Sequence, residues 1–283
     1  MGSRIRKSMA AAAALAAVTV GTVAGFSASG TAAAAPSMQA FGIAGGGTLM
    51  LSFWTDTPQV NDWVRRISGL VGDTYVVGID IRVQDRKLYA VGNQGGIYTI
   101  AVGGTGVTAT KVSQLAQTLY GTKFGVDFNP AADRLRVISD QGQNLRHNLA
   151  DHSTIGDANL TTNGAGTKGV TAAAYTNNDL DPTTATTLFD IGTVTDEVLI
   201  QSPANNGTLA ATGKLGVDAT LDAGFDIFSS LTNGKATAVT GFATLNPAHT
   251  PNVWTFYTVN LLNGAAMPVG DFPLDVTDVA IAL

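Results

Sequence analysis

The chain contains no cysteine, which excludes disulfide bonds, thiolate catalysis and cysteine-bound zinc. Histidine is almost as scarce, with three copies in 283 residues. His147 and His152 lie five apart on an irregular stretch with no third ligand beside them, so no zinc or iron centre is expected. Charged residues make up only 13% of the chain. No G-x-S-x-G, H-E-x-x-H, S-x-x-K or Walker pattern occurs, so the commonest hydrolase, metalloprotease and phosphate-loop chemistries have no signature here. Beyond the first 34 residues no apolar run reaches the roughly 18 residues that a membrane helix needs.

Those first residues read as a secretory signal peptide, residues 1–34. Arg4, Arg6 and Lys7 precede an Ala-rich apolar run from Met9 to Phe26, and an Ala-x-Ala cleavage pattern follows near Ala32-Ala33-Ala34. The expected destination is the extracellular space or the cell envelope. Removal lowers the basic count from 16 to 13 and takes the formal charge from −5 to −8. That sign argues against nucleic acid as a partner. The remaining residues, 35–283, are enough for one large all-β domain held by its core alone.

What the chain does contain is a repeat. Phe124-Gly-Val-Asp-Phe-Asn-Pro130 alternates in period two up to a carboxylate, turns at Asn129-Pro130, and leads into Arg134-Leu-Arg-Val-Ile-Ser139. Val77-Gly-Ile-Asp-Ile-Arg82 is an earlier copy and Ala223-Gly-Phe-Asp-Ile-Phe228 a later one. First strands begin near 78, 124, 171, 223 and 276, at steps of 46 to 53 residues, the spacing of four-stranded propeller blades. The N-terminal unit has three strands and the C-terminus a lone one, Val276–Ala282. Pairing the two closes a ring of five blades without an exposed edge. The predicted fold is therefore all-β, a five-bladed β-propeller; a large β-sandwich and a six-bladed propeller are the alternatives. Val112–Tyr120 is the one stretch with room for a helical turn.

The segments GVDFNPAADRLRVISDQGQNLR, AAAYTN and PANNGTLAATGKLG resemble the bacterial secreted family of unknown function DUF4394. Asp127, Asn129, Pro130, Asp133, Arg134, Arg136, Asn144, Arg146, Tyr175, Asn177, Asn205, Asn206 and Gly207 match its pattern. Ala204 departs from it, standing where a second proline usually follows Pro203. The resemblance implies an exported, propeller-like β protein and carries no catalytic residues.

Candidate chemistry follows from the repeat. Asp80, Asp127 and Asp226 occupy equivalent inner-strand positions, with Tyr175 approximating a fourth. Converging carboxylates suit a hard cation such as calcium, although each could instead cap its own turn or pair with an arginine. Arg82, Arg134, Arg136 and Arg146 suit a carboxylate or phosphate, or else pair with neighbouring aspartates. Asn129, Asn144 and Asn177 complete the candidate ligand set in channel or blade-loop positions. Asn177-Asn-Asp-Leu-Asp181 starts like a calcium loop but lacks its Gly and Glu, and reads as a surface turn. Trp54, Trp63 and Trp254 suit core packing or sugar stacking.

The expected protein is an exported monomer, a non-catalytic module that binds a small anionic ligand, a glycan or a protein, with no cofactor beyond a calcium ion that the aspartates would suit. The alternative is a calcium-dependent hydrolase or lyase acting on a small anionic or sugar-like substrate. Fold alone does not choose between them.

Overall fold

The computed structural model of the protein describes residues 37–181 and 183–283. Residues 1–34, read from the sequence as a signal peptide, lie outside the described residues.

Blade 1 begins with β1 (Gln39–Ala44), β2 (Leu49–Trp54) and β3 (Asn61–Ser68). Blade 2 holds β4 (Val76–Arg82), β5 (Lys87–Gly92), β6 (Gly96–Gly103) and β7 (Gly106–Gln114). Blade 3 holds β8 (Phe124–Asn129), β9 (Arg134–Ser139), β10 (Asn144–His147) and β11 (Thr154–Gly156). A short hairpin, β12 (Thr161–Thr162) and β13 (Ala165–Gly166), leads into blade 4, with β14 (Val170–Tyr175), β15 (Leu188–Gly192), β16 (Glu197–Gln201) and β17 (Thr208–Lys214). Blade 5 holds β18 (Ala219–Thr232), β19 (Lys235–Pro247), β20 (Thr255–Val259) and β21 (Ala266–Asp271), and β22 (Asp278–Ile281) ends the set.

Each blade is an antiparallel meander, and β22 pairs with β1 through Ala40↔Ile281 to Ile43↔Asp278. The C-terminal strand thus completes the N-terminal blade, and the ring has five blades, as the repeat spacing predicts. The inner strands β22, β4, β8, β14 and β18 each pack on two others in that cyclic order. Val112–Tyr120 forms no helix; its start is the end of β7, and the helix among the described residues is one 3-10 turn, Ala204–Asn206. Two outer edges are covered by parallel pairing, β3 on β7 and β12 on β17, which leaves less open edge for another chain to extend.

The inner strands explain the recurring Gly-apolar-Asp triplet. A Cβ on Gly125 would lie 2.4 Å from Ala173 N of the next inner strand. On Gly78 it would lie 2.4 Å from a Val126 methyl, and on Gly224 2.4 Å from Asp278 Cα. Glycine is there because neighbouring inner strands come too close for a side chain. Away from the axis, apolar clusters fill the wedge between every adjacent pair of blades. Phe53, Phe242, Phe256 and Phe272 stack between blades 5 and 1, where Trp254 is also buried. Trp63 packs against the cluster between blades 1 and 2, and Trp54 is 43% exposed. Between blades 3 and 4 the apolar filling is thinner, and polar side chains take its place further out.

Candidate functional site

Two concave features lie where the inner strands end. The first is the channel mouth. Asp80, Asp127 and Asp226 do converge there, one carboxylate oxygen of each lying within 4.8 Å of the others. All three are buried, and the cavity they share with Asn177, Asn178 and Tyr175 is about 20 Å3. No arginine pairs with them, and a local bond occupies one oxygen of two of them, the Ile81 N–H donating to Asp80 Oδ1 and the Ile227 N–H to Asp226 Oδ1 (2.6 Å each). Each also reaches to the inner strand of the next blade. The Phe128 N–H donates to Asp80 Oδ2 (2.7 Å), the Tyr175 N–H to Asp127 Oδ1 (3.0 Å) and the Ile281 N–H to Asp226 Oδ2 (2.6 Å). Because Phe128 follows Asp127, the corresponding place in blade 4 belongs to Ala174, and Tyr175 sits one residue beyond it. Asp278 repeats the device one level lower, accepting the Ile79 N–H at 2.8 Å. Between blades 4 and 5 a neutral group substitutes, the Asn177 N–H donating to Ser229 Oγ at 2.8 Å.

Burial pushes these carboxyls up. Asp80, Asp127 and Asp278 stand well above the usual carboxylate range, first because they are desolvated and then because they repel one another. Asp226 is raised to about 6, again by burial, with its two main-chain donors opposing the shift. The three carboxylates would be the residues to hold a hard cation, with Asn177 and Asn178 beside them.

The second feature is a pocket of about 300 Å3 between blades 3 and 4. Five of the candidate ligand residues meet in its wall: Asn129, Arg134, Arg136, Arg146 and Tyr175. Gln201, Ser202 and Asn205 of blade 4 face them, with Thr186 and Thr187 alongside. The anchor is Arg136, which is 1% exposed and carries five hydrogen-bond donors. Nη1 donates to Asp157 Oδ2 (2.6 Å) and Asn144 Oδ1 (2.7 Å), Nη2 to Asn205 Oδ1 (2.8 Å), and Nε to the Tyr175 hydroxyl (3.3 Å). Asp157 also accepts from Arg146, through Nε (2.7 Å) and Nη2 (3.0 Å), which raises the Arg146 pKa.

Asn144 lies behind this wall rather than in it. It holds the 203–206 turn by donating to Ala204 O (3.0 Å) and accepts from Gln201 Nε2 (3.3 Å). Gln201 Nε2 also donates to Ala204 O (2.6 Å), while Gln201 Oε1 is buried with no hydrogen-bond partner. Asp190, deeper in the same interface, is fully buried with neither oxygen partnered. Burial raises its pKa well above the usual range, partly offset by Arg136. Arg134 donates through Nη1 to the carbonyls of Ala132 (3.0 Å) and Asp133 (2.7 Å) and makes no ion pair among the described residues. The free guanidinium edges of Arg134 and Arg146 are thus the unsatisfied donors of the pocket.

Other expectations land elsewhere. Arg82 is not in this pocket; it forks onto Asp133 (2.7 and 2.6 Å) and also binds Asp85, tying blade 2 to blade 3. Asn177 belongs to the channel mouth. The Asn177–Asp181 segment is not a plain surface turn. Asn177 and Asp179 are buried, each side chain accepts the N–H two residues on, and Asp179 Oδ2 accepts from Ala236 N at 2.6 Å. The sequence pattern missed Asp157, Gln201 and Ser202, since each lies in a polar segment of ordinary composition. It also missed the meeting of both histidines on Ser113 Oγ, with His147 Nε2 and His152 Nδ1 each at 2.8 Å. That contact joins the outer strands of blades 2 and 3, and burial pushes His147 down to about 4, so its ring is neutral.

Residues 49–282 match the family described as "Domain of unknown function (DUF4394)", and the chain belongs to that family. No curated protein matches the sequence. Among solved structures, it is similar to a glutaminyl cyclase from Myxococcus xanthus, with 12% identity, 75% of this chain and 83% of that one covered, and a TM-score of 0.47. It is also similar to an auxiliary nutrient binding protein from Bacteroides thetaiotaomicron, at 9% identity, 82% and 64% coverage and a TM-score of 0.45. A WD40 domain from Toxoplasma gondii coronin aligns at 14% identity, 82% and 55% coverage and a TM-score of 0.41.

Proposed function

We propose that this DUF4394 protein is an exported, non-catalytic binding module that holds a small anionic ligand in the pocket between blades 3 and 4. One observation carries the reading. Three arginines from one blade face a common cavity, and one carboxylate, Asp157, is paired with two of them. The excess of positive charge is buried at Arg136 and open to solvent at Arg134 and Arg146, so the cavity is preorganised to receive an anion. Planar guanidinium forks offer two parallel donors, which suits a carboxylate or phosphate better than a halide.

The catalytic alternative, with a cation on Asp80, Asp127 and Asp226, is less well supported. A cavity of about 20 Å3 has room for one ion or water and none for a substrate beside it. Both oxygens of Asp80 and of Asp226 also already accept main-chain N–H groups.

Isothermal titration of the protein with acetate, glycolate and inorganic phosphate at low ionic strength tests the binding reading. The expected result is saturable binding of at least one anion, weakened about tenfold or more by Arg134→Gln with unchanged thermal stability. If Arg134→Gln binds as the parent does, the pocket is not the site.

A further inference from the structure

The anion pocket has an apolar neighbour. A groove of about 630 Å3 lies against the other face of blade 4, between blades 4 and 5. Successive strand residues point to opposite faces, so the two cavities share out the end of this blade. Tyr175 and Leu188 line the pocket, while Thr176 and Phe189, the residues that follow them, line the groove. Thr187 lines both. It is exposed, and it closes the end of the blade by donating its N–H to Thr176 Oγ1 and accepting the Thr176 N–H at its carbonyl, each at 2.9 Å.

The two cavities differ in chemistry. Phe189, Val259 and Leu261 are buried and form the floor of the groove, and Val239, Leu262 and Met267 stand at its mouth, 49, 85 and 52% exposed. No charged side chain lines it, and no lining side chain holds a buried polar atom without a hydrogen-bond partner. Nothing in the groove therefore calls for a polar group on a ligand. Apolar side chains exposed singly are ordinary, but a cluster around one concavity marks surface that a ligand covers. The volume falls within the roughly 300–1,000 Å3 range of small-molecule sites. Positive charge thus lies on one side of Thr187 and open apolar surface on the other.

We infer that the ligand is a linear amphiphilic carboxylate of fatty-acid type, its carboxylate on Arg134 and Arg146 and its carbon chain passing over Thr187 into the groove between blades 4 and 5. This rests on the anion-binding reading above and adds the ligand's chemical class to it. Passing from one face of blade 4 to the other takes roughly 10 Å, the spacing of packed sheets, so the chain must cross that ridge before its methylenes leave water. A short acid satisfies the arginines alone, and a neutral chain satisfies the groove alone.

The test compares acetate, butyrate and decanoate by isothermal titration at low ionic strength, with decanoate kept below its micelle concentration. The expected result is decanoate binding about a hundredfold or more tighter than acetate, from several methylenes leaving water, with butyrate close to acetate. The double variant Leu262→Glu, Met267→Glu changes two largely exposed side chains outside the anion pocket. It should bring decanoate down towards acetate while leaving acetate binding and melting temperature unchanged. Equal affinity for acetate and decanoate in the parent protein would overturn the chain inference and leave anion binding standing. Tight decanoate binding that the double variant does not weaken would do the same, since the chain would then lie elsewhere. Tight decanoate binding undiminished in Arg134→Gln would overturn both, since charge would then be irrelevant. No binding of any probe would also overturn both.

Discussion

Arg136 Nη1 lies 2.6 Å from Asp157 Oδ2, and both side chains are buried, at 1% and 5% exposure. The pair joins the middle of blade 3 to the segment that runs out of it, and through Asn205 and Tyr175 to blade 4. Arg136→Met would keep much of the volume but strand Asn144, Asn205 and Asp157 in a dry interface. Removing one partner of a buried pair costs about 3–5 kcal/mol. Urea unfolding should show a loss of that size; a loss below about 1 kcal/mol would mean the network contributes no more than a surface ion pair.

The inner-strand aspartates make stability depend on pH. Asp226 is near 6 in the folded protein, and Asp80, Asp127 and Asp278 stand higher than their ordinary values. An unfolded Asp titrates at about 3.9. A folded pKa above the unfolded one gives stability that is complete below pH about 4 and is lost as pH rises through the folded value. Melting temperature should therefore fall between pH 4 and 7. His147, held near 4, works the other way over the same range, so the comparison to make is with Asp226→Asn. That variant lacks the Asp226 contribution, on the order of 2–3 kcal/mol, and its pH slope should be visibly shallower. Parallel slopes would place the titration elsewhere.

Calcium discriminates between a stapling role and a metal role for the same cluster. Asp80 and Asp226 spend both oxygens on main-chain donors and the cavity is small. Thermal unfolding at pH 7.5 with EDTA and with millimolar calcium should therefore give superimposable curves. A calcium-dependent rise, lost in Asp127→Asn, would restore the cation reading, because a ligand that binds only the folded form stabilises it.

Gly125 tests the packing of the ring. A methyl group there would sit 2.4 Å from Ala173 N and 2.7 Å from Ala172 C, both backbone atoms that cannot step aside. Gly125→Ala should destabilise by at least the 1–3 kcal/mol typical of overpacking. Gly166→Ala, at a position with nothing within 4 Å, is the control and should be nearly neutral.

Much of this was legible in the residues. Period-two runs ending in Gly-Ile-Asp80, Gly-Val-Asp127 and Gly-Phe-Asp226 marked the inner strands, and regular spacing with a lone terminal strand gave five blades and their closure. Asn129, Arg134, Arg136, Arg146 and Tyr175 were legible as a group because four of them crowd into one blade. Arg82 looked like their companion because it sits at the same turn of the preceding copy. It faces Asp133 instead, since each blade presents one face to the blade before it and the other to the blade after.

Strands, turns, blade count and the excess of arginine in blade 3 can be read from the residues, because these depend on neighbours along the chain: alternation, turn residues and spacing. What those side chains meet depends on the assembled ring. Arg136 reaches Asn205 across 69 residues and Asp80 reaches Phe128 across 48. Local pattern carries no information about a partner that distant. Burial, the other cause, belongs to the assembled ring. It leaves Gln201 Oε1 without a partner and lifts the inner aspartates, turning ordinary polar residues into the wall of a pocket and the staples of a channel.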